Sequence, residues 1–290
     1  MPAAVPFRDL RYVRIATDDL AEPSGFAAET LGLQPSGATD GRAFFRSDAR
    51  AYSVCFSTAD ETDAVALTVA TDDDLASMSE RLTSFGIAVK ALDDADCAAR
   101  SIKKGIACRA PNGIAVEFVW RPLASGWRYH GPRDAGIVEF SSVALATTDV
   151  AADEDFWTRI VGLSVSDWAG DAVFLRLDDA HHRIALYPSQ QNGLLGIDFA
   201  VEGINNVMQN FYFFQGQQLP VVHGPGRQPT SGKAFVTTRG PRDLLYTFST
   251  GMDRGPDLDG RVPRQFPAEA GSHCAWGSPT TQPEFLGNTL

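Results

Sequence analysis

Apolar positions alternate through residues 10–16 and again through 140–146, and each stretch is followed by a short polar turn. Such alternation predicts a strand with one buried face. After each turn the apolar residues change to helical spacing, over Ala21 to Thr30 and over Ala151 to Ile160. Gly32 and Gly162 stand where a helix C-cap prefers glycine. Further β-rich runs lie near 42–47, 51–57, 64–70 and 114–120, and then near 172–177, 181–187, 195–201 and 244–250. A second helix is predicted in each half, over Asp73 to Phe85 and Ile204 to Phe214. The order strand, helix, three strands therefore occurs four times.

The two halves are copies. A shift of 130 residues carries Val13–Leu20 onto Val143–Val150, Phe26 onto Phe156, Leu31-Gly32-Leu33 onto Val161-Gly162-Leu163, and Phe118 onto Phe248. A duplicated module gives two versions of every structural position, so residues that differ between copies can be read for function. The predicted architecture is α+β: four βαβββ units in two tandem modules, each an open mixed β-barrel flanked by helices. The first module is placed at residues 7–123 and the second, with the substrate cavity, at 136–252. A Gly- and Pro-containing linker at 124–135 joins them, and an irregular tail, 253–290, is expected to pack over the second copy.

Charge narrows the partners. With 25 Lys+Arg against 36 Asp+Glu, the formal net charge is -11. That argues against nucleic acid or an anionic membrane, both of which need a basic footprint. The opening residues lack a basic segment followed by an apolar run, and no apolar stretch approaches the roughly 18 residues of a membrane span. A cytoplasmic protein is expected. Cys55, Cys97, Cys108 and Cys274 are scattered without metal-ligand spacing, which reads as reduced thiols.

The repeated Thr-x-Asp before a helix ending in Leu-Gly-Leu, together with Pro-Asn-Gly-Ile-Ala-Val-Glu-Phe-Val-Trp-Arg-Pro at 111–122, resembles the vicinal oxygen chelate superfamily. The two-module length, the stretch Phe-Leu-Arg-Leu-Asp-Asp-Ala-His-His-Arg-Ile-Ala-Leu at 174–186, and Gly224-Pro225-Gly226-Arg227 look like the type I extradiol ring-cleaving dioxygenases within it. The resemblance covers residues 7 to 252. It implies aromatic-compound catabolism, a symmetric homo-oligomer, and Fe(II) or Mn(II) held in the second module by two histidines and a glutamate. Three such ligands on one face leave open positions for substrate and dioxygen.

The sequence does not supply those ligands. The first histidine of the family falls on Ser142 and the second on Gly196. The carboxylate position is fixed by the repeat itself, since Glu117 lies one repeat before Thr247. The first copy keeps Glu117 but has Tyr12 and Ala66 at the matching ligand positions. Two further family handles fall near Gln228 and on Thr237. The expected cofactor is therefore none, with Fe(II) or Mn(II) on atypical ligands as the runner-up.

What remains is a different polar set. The resemblance places an acid–base histidine at the His181-His182 pair, and alternation on a strand would turn only one of them inward, taken as His182. Asp198, two residues beyond Gly196, projects to the same face and would need a partner when buried. His182 is one candidate, and Arg176 or another cation is the other. Ser142, Thr247, Thr237, Tyr246, His223 and Phe174 are candidate substrate-binding residues. A metal site from His182, Asp198 and His223 stays open. His130 and His273 read as surface or packing residues.

The resulting expectation is an extradiol-dioxygenase-like enzyme that has lost the two-His-one-carboxylate site. It would carry out a metal-independent acid–base step, as a lyase, hydrolase or isomerase, on a small aromatic or phenolic compound. His182 and Asp198 would be catalytic. The alternatives are a non-catalytic binder of aromatic or antibiotic ligands and an Fe(II) or Mn(II) dioxygenase with unorthodox ligands.

Overall fold

The computed structural model describes residues 5–39, 41–255 and 260–287. The first unit runs β1 (Phe7–Ala16), α1 (Ala21–Gly25) continuing as a π-helical turn over Phe26–Leu31, then β2 (Gln34–Thr39), β3 (Arg42–Arg46) and β4 (Val54–Ser57). The second runs β5 (Ala64–Val69), α2 (Asp72–Ser84), β6 (Lys90–Ala91), a short α3 (Asp94–Arg100), β7 (Lys104–Arg109) and β8 (Ala115–Trp120). Their strands form one sheet in the order β2-β3-β4-β1-β5-β8-β7-β6. Each unit contributes one half of it.

The second module repeats the plan. It comprises β9 (Ile137–Thr147), α4 (Val150–Asp155) with a π-helical turn over Phe156–Val161, β10 (Ser164–Ala169), β11 (Ala172–Arg176) and β12 (Ile184–Pro188). There follow β13 (Gly193–Val201), α5 (Ile204–Gly216), β14 (Val221–Arg227), β15 (Ala234–Arg239) and β16 (Leu245–Thr250). The central pairing is antiparallel, β13 on β9, and each of these strands takes a parallel neighbour outside, β16 and β12. The fold is thus the mixed α+β arrangement of four βαβββ units predicted from the alternation.

The repeat has a physical basis at the helices. Asp19 accepts from the backbone N–H of Ala21 and Glu22, and its counterpart Asp149 accepts from that of Ala152. The aspartate of the duplicated motif is the helix N-cap in the second copy, and in the first it accepts the opening N–H groups from the residue before the N-cap Leu20. Both helices end on glycines in the left-handed region, Gly32 at φ 80° and Gly162 at φ 102°, where a β-carbon would be strained. One apolar core runs through both modules, and it includes the repeat partners Val13 and Val143, Leu31 and Val161, and Phe118 and Phe248. Asn112 ties the modules directly, donating to the carbonyl of Ala146 at 3.2 Å.

Several details depart from the sequence reading. β2, β6, β7, β10, β14 and β15 lie outside the β-rich runs read from the sequence. α3 is an added element of the first module. The tail is not wholly irregular, because β17 (Arg264–Phe266) pairs parallel with β10 and extends the second sheet to nine strands. The strand expected from residue 181 begins at Ile184, so His181 and His182 lie in the preceding loop. Among the described residues no helix is long and apolar enough to cross a membrane.

Candidate active site

The register of the second sheet sets a row of side chains across one face. Asp198 pairs with Ser142 on one side and Thr247 on the other, Thr247 with Thr237, and Thr237 with His223. Because strand residues alternate, this row looks to one face while Tyr246 and Phe248 look to the other. Ser142, His182, Asp198, Lys233, Thr247 and Phe285 line a small cavity of about 50 Å³. A neighbouring space of about 50 Å³ shares Lys233, Thr247 and Phe285 and adds His223, Thr237 and His273.

At its centre stands a residue the sequence reading passed over. Lys233 is buried, and its Nζ donates to Asp198 Oδ2 at 2.7 Å and lies 3.4 Å from His182 Nε2. The turn from Gln228 to Lys233, closed by hydrogen bonds and by Gly232 at φ +72°, delivers this side chain at the start of β15. From there Lys233, Phe235 and Thr237 face the cavity at period two. That period was the available signal, but a search for metal ligands passes over a lysine. Asp198 is therefore bound to a cation, which is neither His182 nor Arg176. Arg176 donates instead to the carbonyl of Val165 and to Ser166.

Asp198 keeps one oxygen in reserve. Ser249 donates to its Oδ2 at 3.0 Å, whereas its Oδ1 is buried with no hydrogen-bond partner among the described residues. An unsatisfied buried acceptor costs about 1–3 kcal/mol, and more when charged. It is an atom waiting for a donor.

The two histidines are both buried, and their Nδ1 atoms are 3.0 Å apart. Of the two only His182 lines the cavity, and strand alternation is not the reason, because the pair lies in a loop. His181 Nε2 lies 3.0 Å from Asp167 Oδ2. Asp167 accepts from Arg261 and Arg264, both supplied by the tail, and its acidity is strengthened by His181 and Arg264 against the cost of burial. A carboxylate only accepts, so His181 carries its proton on Nε2 and accepts at Nδ1. His182 then donates from Nδ1 and accepts from Lys233 at Nε2. Burial, then the charge of Lys233, holds the His182 pKa well below the ordinary value, consistent with a neutral ring.

The other candidates are placed as follows. Ser142, Thr247, Thr237 and His223 all reach the cavity, and Thr247 and Thr237 share a 2.8 Å hydrogen bond. Phe174 lies behind it, its ring centre 5.1 Å from that of His182. Tyr246 is on the opposite face, packed on Phe26 of the first module at 5.3 Å, because it neighbours Thr247 on the strand. His273, read as a packing or surface residue, is buried beside the cavity, and Phe285 of the tail stacks on His223 at 5.3 Å. Burial lowers both His223 and His273 to about 4. His130 sits outside the cavity, in the linker.

The residues present do not fit a divalent metal. A β-carbon on Gly196 would lie 2.6 Å from the Leu245 carbonyl oxygen, so the backbone here leaves no room for a side-chain ligand. Ser142 and Thr247 offer neither imidazole nor carboxylate. The ammonium of Lys233 occupies the space between His182 and Asp198, two members of the alternative set with His223. In the first module Glu117 is likewise engaged, accepting from Tyr12 at 2.6 Å and Arg100 at 2.8 Å. Among the described residues no group of three or more His, Cys, Asp or Glu is arranged to hold a metal ion.

No protein-family profile matches the chain. In sequence it is 27% identical over 200 residues to biphenyl-2,3-diol 1,2-dioxygenase of Paraburkholderia xenovorans, a match covering 62% of this chain and 66% of that protein. In structure it superposes on a Mn(II)-bound glyoxalase from Novosphingobium aromaticivorans with a TM-score of 0.86 at 22% identity, covering 97% of this chain and 94% of that one. A halotolerant catechol dioxygenase superposes with a TM-score of 0.86 at 18% identity, covering 98% of both chains. The chain thus has the two-module vicinal oxygen chelate fold, and its sequence is similar to that of dioxygenases such as biphenyl-2,3-diol 1,2-dioxygenase, of whose length the match spans just under two thirds.

Proposed function

We propose that this protein is an enzyme of aromatic-compound metabolism that performs acid–base chemistry on a small phenolic molecule in the second-module cavity. The observation that carries the reading is Asp198. It is a buried carboxylate on a residue that lines the cavity, with one oxygen fixed by Lys233 and Ser249 and the other buried without a partner. A hydroxyl that packs against Asp198 and displaces the cover over Oδ1 would meet a free acceptor there. Lys233 donates to the developing negative charge, and His182 acts through Lys233 by holding its ammonium in place. Ser142, Thr247 and Thr237 offer hydroxyls to further substrate oxygens, and Phe285 and Phe235 flank the ring. The reaction is a proton-transfer-driven lyase, hydrolase or isomerase step.

The relatives' chemistry is not carried over, because Ser142, Gly196 and Thr247 replace the donor set on which it would depend. Four buried free cysteines support a reducing, cytoplasmic setting.

A panel of phenols and catechols, assayed for product with the protein as purified and again after addition of Fe(II) or Mn(II), tests the reading. Turnover independent of added metal and lost in Asp198→Asn is expected. Oxygen uptake that requires added metal would overturn it.

A further inference from the structure

The sheet face that would carry a divalent ion in the related fold carries an ion pair instead, and the pair has a hydrogen-bonding signature of its own. Lys233 has three N–H donors. One goes to Asp198 Oδ2 and a second points toward His182 Nε2, while the third has no protein partner among the described residues. Asp198 Oδ1 is an unused acceptor on the other end of the same pair. Both residues line one cavity, with Oδ1 itself buried at its edge until a ligand displaces the cover. Side by side, a spare donor and a spare acceptor match a group that is itself acceptor and donor.

We infer that Lys233 and Asp198 form a recognition site for one neutral hydroxyl group, which accepts from Lys233 Nζ and donates to Asp198 Oδ1. The inference rests on the reading of this cavity as a phenol site and specifies the form in which the phenol is bound. A divalent ion would favour the ionised oxygen. Here an oxyanion would meet the unpartnered carboxylate oxygen, leave its acceptor unsatisfied, and gain from only one ammonium whose charge Asp198 already offsets. A carbonyl or ether oxygen would accept from Lys233 and leave Asp198 Oδ1 unpaired. A hydroxyl satisfies both ends. The surrounding groups agree, because Ser142, Thr247, Thr237 and a neutral His182 bring no further cation to hold an anion.

The selectivity is that of a buried polar pair that rejects ligands lacking the matching proton. It also points the ligand proton at Asp198 Oδ1, the base of the proposed reaction.

The probe is 4-nitrophenol, whose neutral and ionised forms absorb at different wavelengths, compared with 4-nitroanisole, which differs by exchange of the proton for a methyl group. Binding is followed by calorimetry and by the probe's spectrum near neutral pH. The expected result is loss of the phenolate band on binding, and weaker binding of the anisole by about tenfold or more, the value of one hydrogen bond to a charged group. Asp198→Asn should bring the two affinities together. Since a lone Lys233 could unfold that variant, the double variant Lys233→Met with Asp198→Asn, which removes both charges, should show the same loss of discrimination. A bound spectrum of the phenolate, or equal affinity for the two compounds in the unaltered protein, would overturn the inference while leaving a phenol site intact. Binding of neither compound would overturn both.

Discussion

The Nδ1 atoms of His181 and His182 face each other at 3.0 Å, so in neutral rings one must carry the proton that the other accepts. The carboxylate of Asp167 settles which. It fixes the proton of His181 on Nε2, hence that of His182 on Nδ1, and so presents a bare Nε2 to Lys233. A residue outside the cavity thereby sets the tautomer of one inside it. Asp167→Asn, of equal volume, should let the pair invert and weaken the hold on Lys233. Nitrogen chemical shifts of the two rings are expected to exchange character, while ring-labelled wild type shows a single tautomer for each. Unchanged shifts would remove Asp167 from this role.

Stability should fall at unusually mild acidity. His181, His182, His223 and His273 all have pKa values lowered by burial, the latter two to about 4. A histidine whose folded value lies below the ordinary 6.5 stabilises the fold fully above that value. The contribution is lost as pH falls toward the folded value, because the unfolded chain takes up the proton first. His223 and His273 alone would contribute up to about 3 kcal/mol each across that window. Asp167, displaced downward, adds nothing until the ordinary carboxylate range is reached. Thermal melts should therefore decline steadily from about pH 6.5 to about pH 4.5. A plateau down to the carboxylate range would contradict the burial of these rings.

Lys233→Met should destabilise the protein by about 3–5 kcal/mol, since it strands a buried carboxylate. Adding Asp198→Asn to the same chain should restore most of the loss. Urea denaturation of the two variants reads the difference. Additive losses would mean that the two side chains are not coupled.

Glu117 serves as the control in the first module. Its contacts with Tyr12 and Arg100 are complete. Glu117→Gln should lower stability by about 1–3 kcal/mol, with 4-nitrophenol affinity unaltered. A comparable loss of affinity would move the site to the wrong module.

Phe285→Ala should open the cavity. The ring stacks on His223 and lies 5.3 Å from Tyr187, covering both parts of the cavity. Affinity for aromatic probes should fall several-fold, and protection of the second sheet in hydrogen exchange should persist. Loss of that protection would make Phe285 a core residue and not a cover.

Much of this was legible before any coordinates. The repeat placed the paired helices, the two left-handed glycines and the aspartate caps, because each depends on local backbone chemistry that duplication preserves. It also put Asp198, Ser142 and Thr247 on one face, since strand alternation is nearly free of context. Tyr246 could have been set aside on the same argument, as the neighbour of Thr247. His181 and His182 were placed on a strand because the β-rich run at 181–187 does not reveal that the chain at 253–255 pairs with the residues before it. Lys233 was missed because its role depends on a turn and on a partner thirty-five residues away. Three-residue β17 has no periodicity to read.

The tail that supplies β17 follows both modules in the chain. Arg261 and Arg264 reach back to Asp167, and His273 and Phe285 complete the cavity wall. During synthesis most strands of the two sheets leave the ribosome before these residues do. Every nascent or truncated copy would then hold an uncovered pocket, so the protein becomes competent only after Phe285 has left the ribosome.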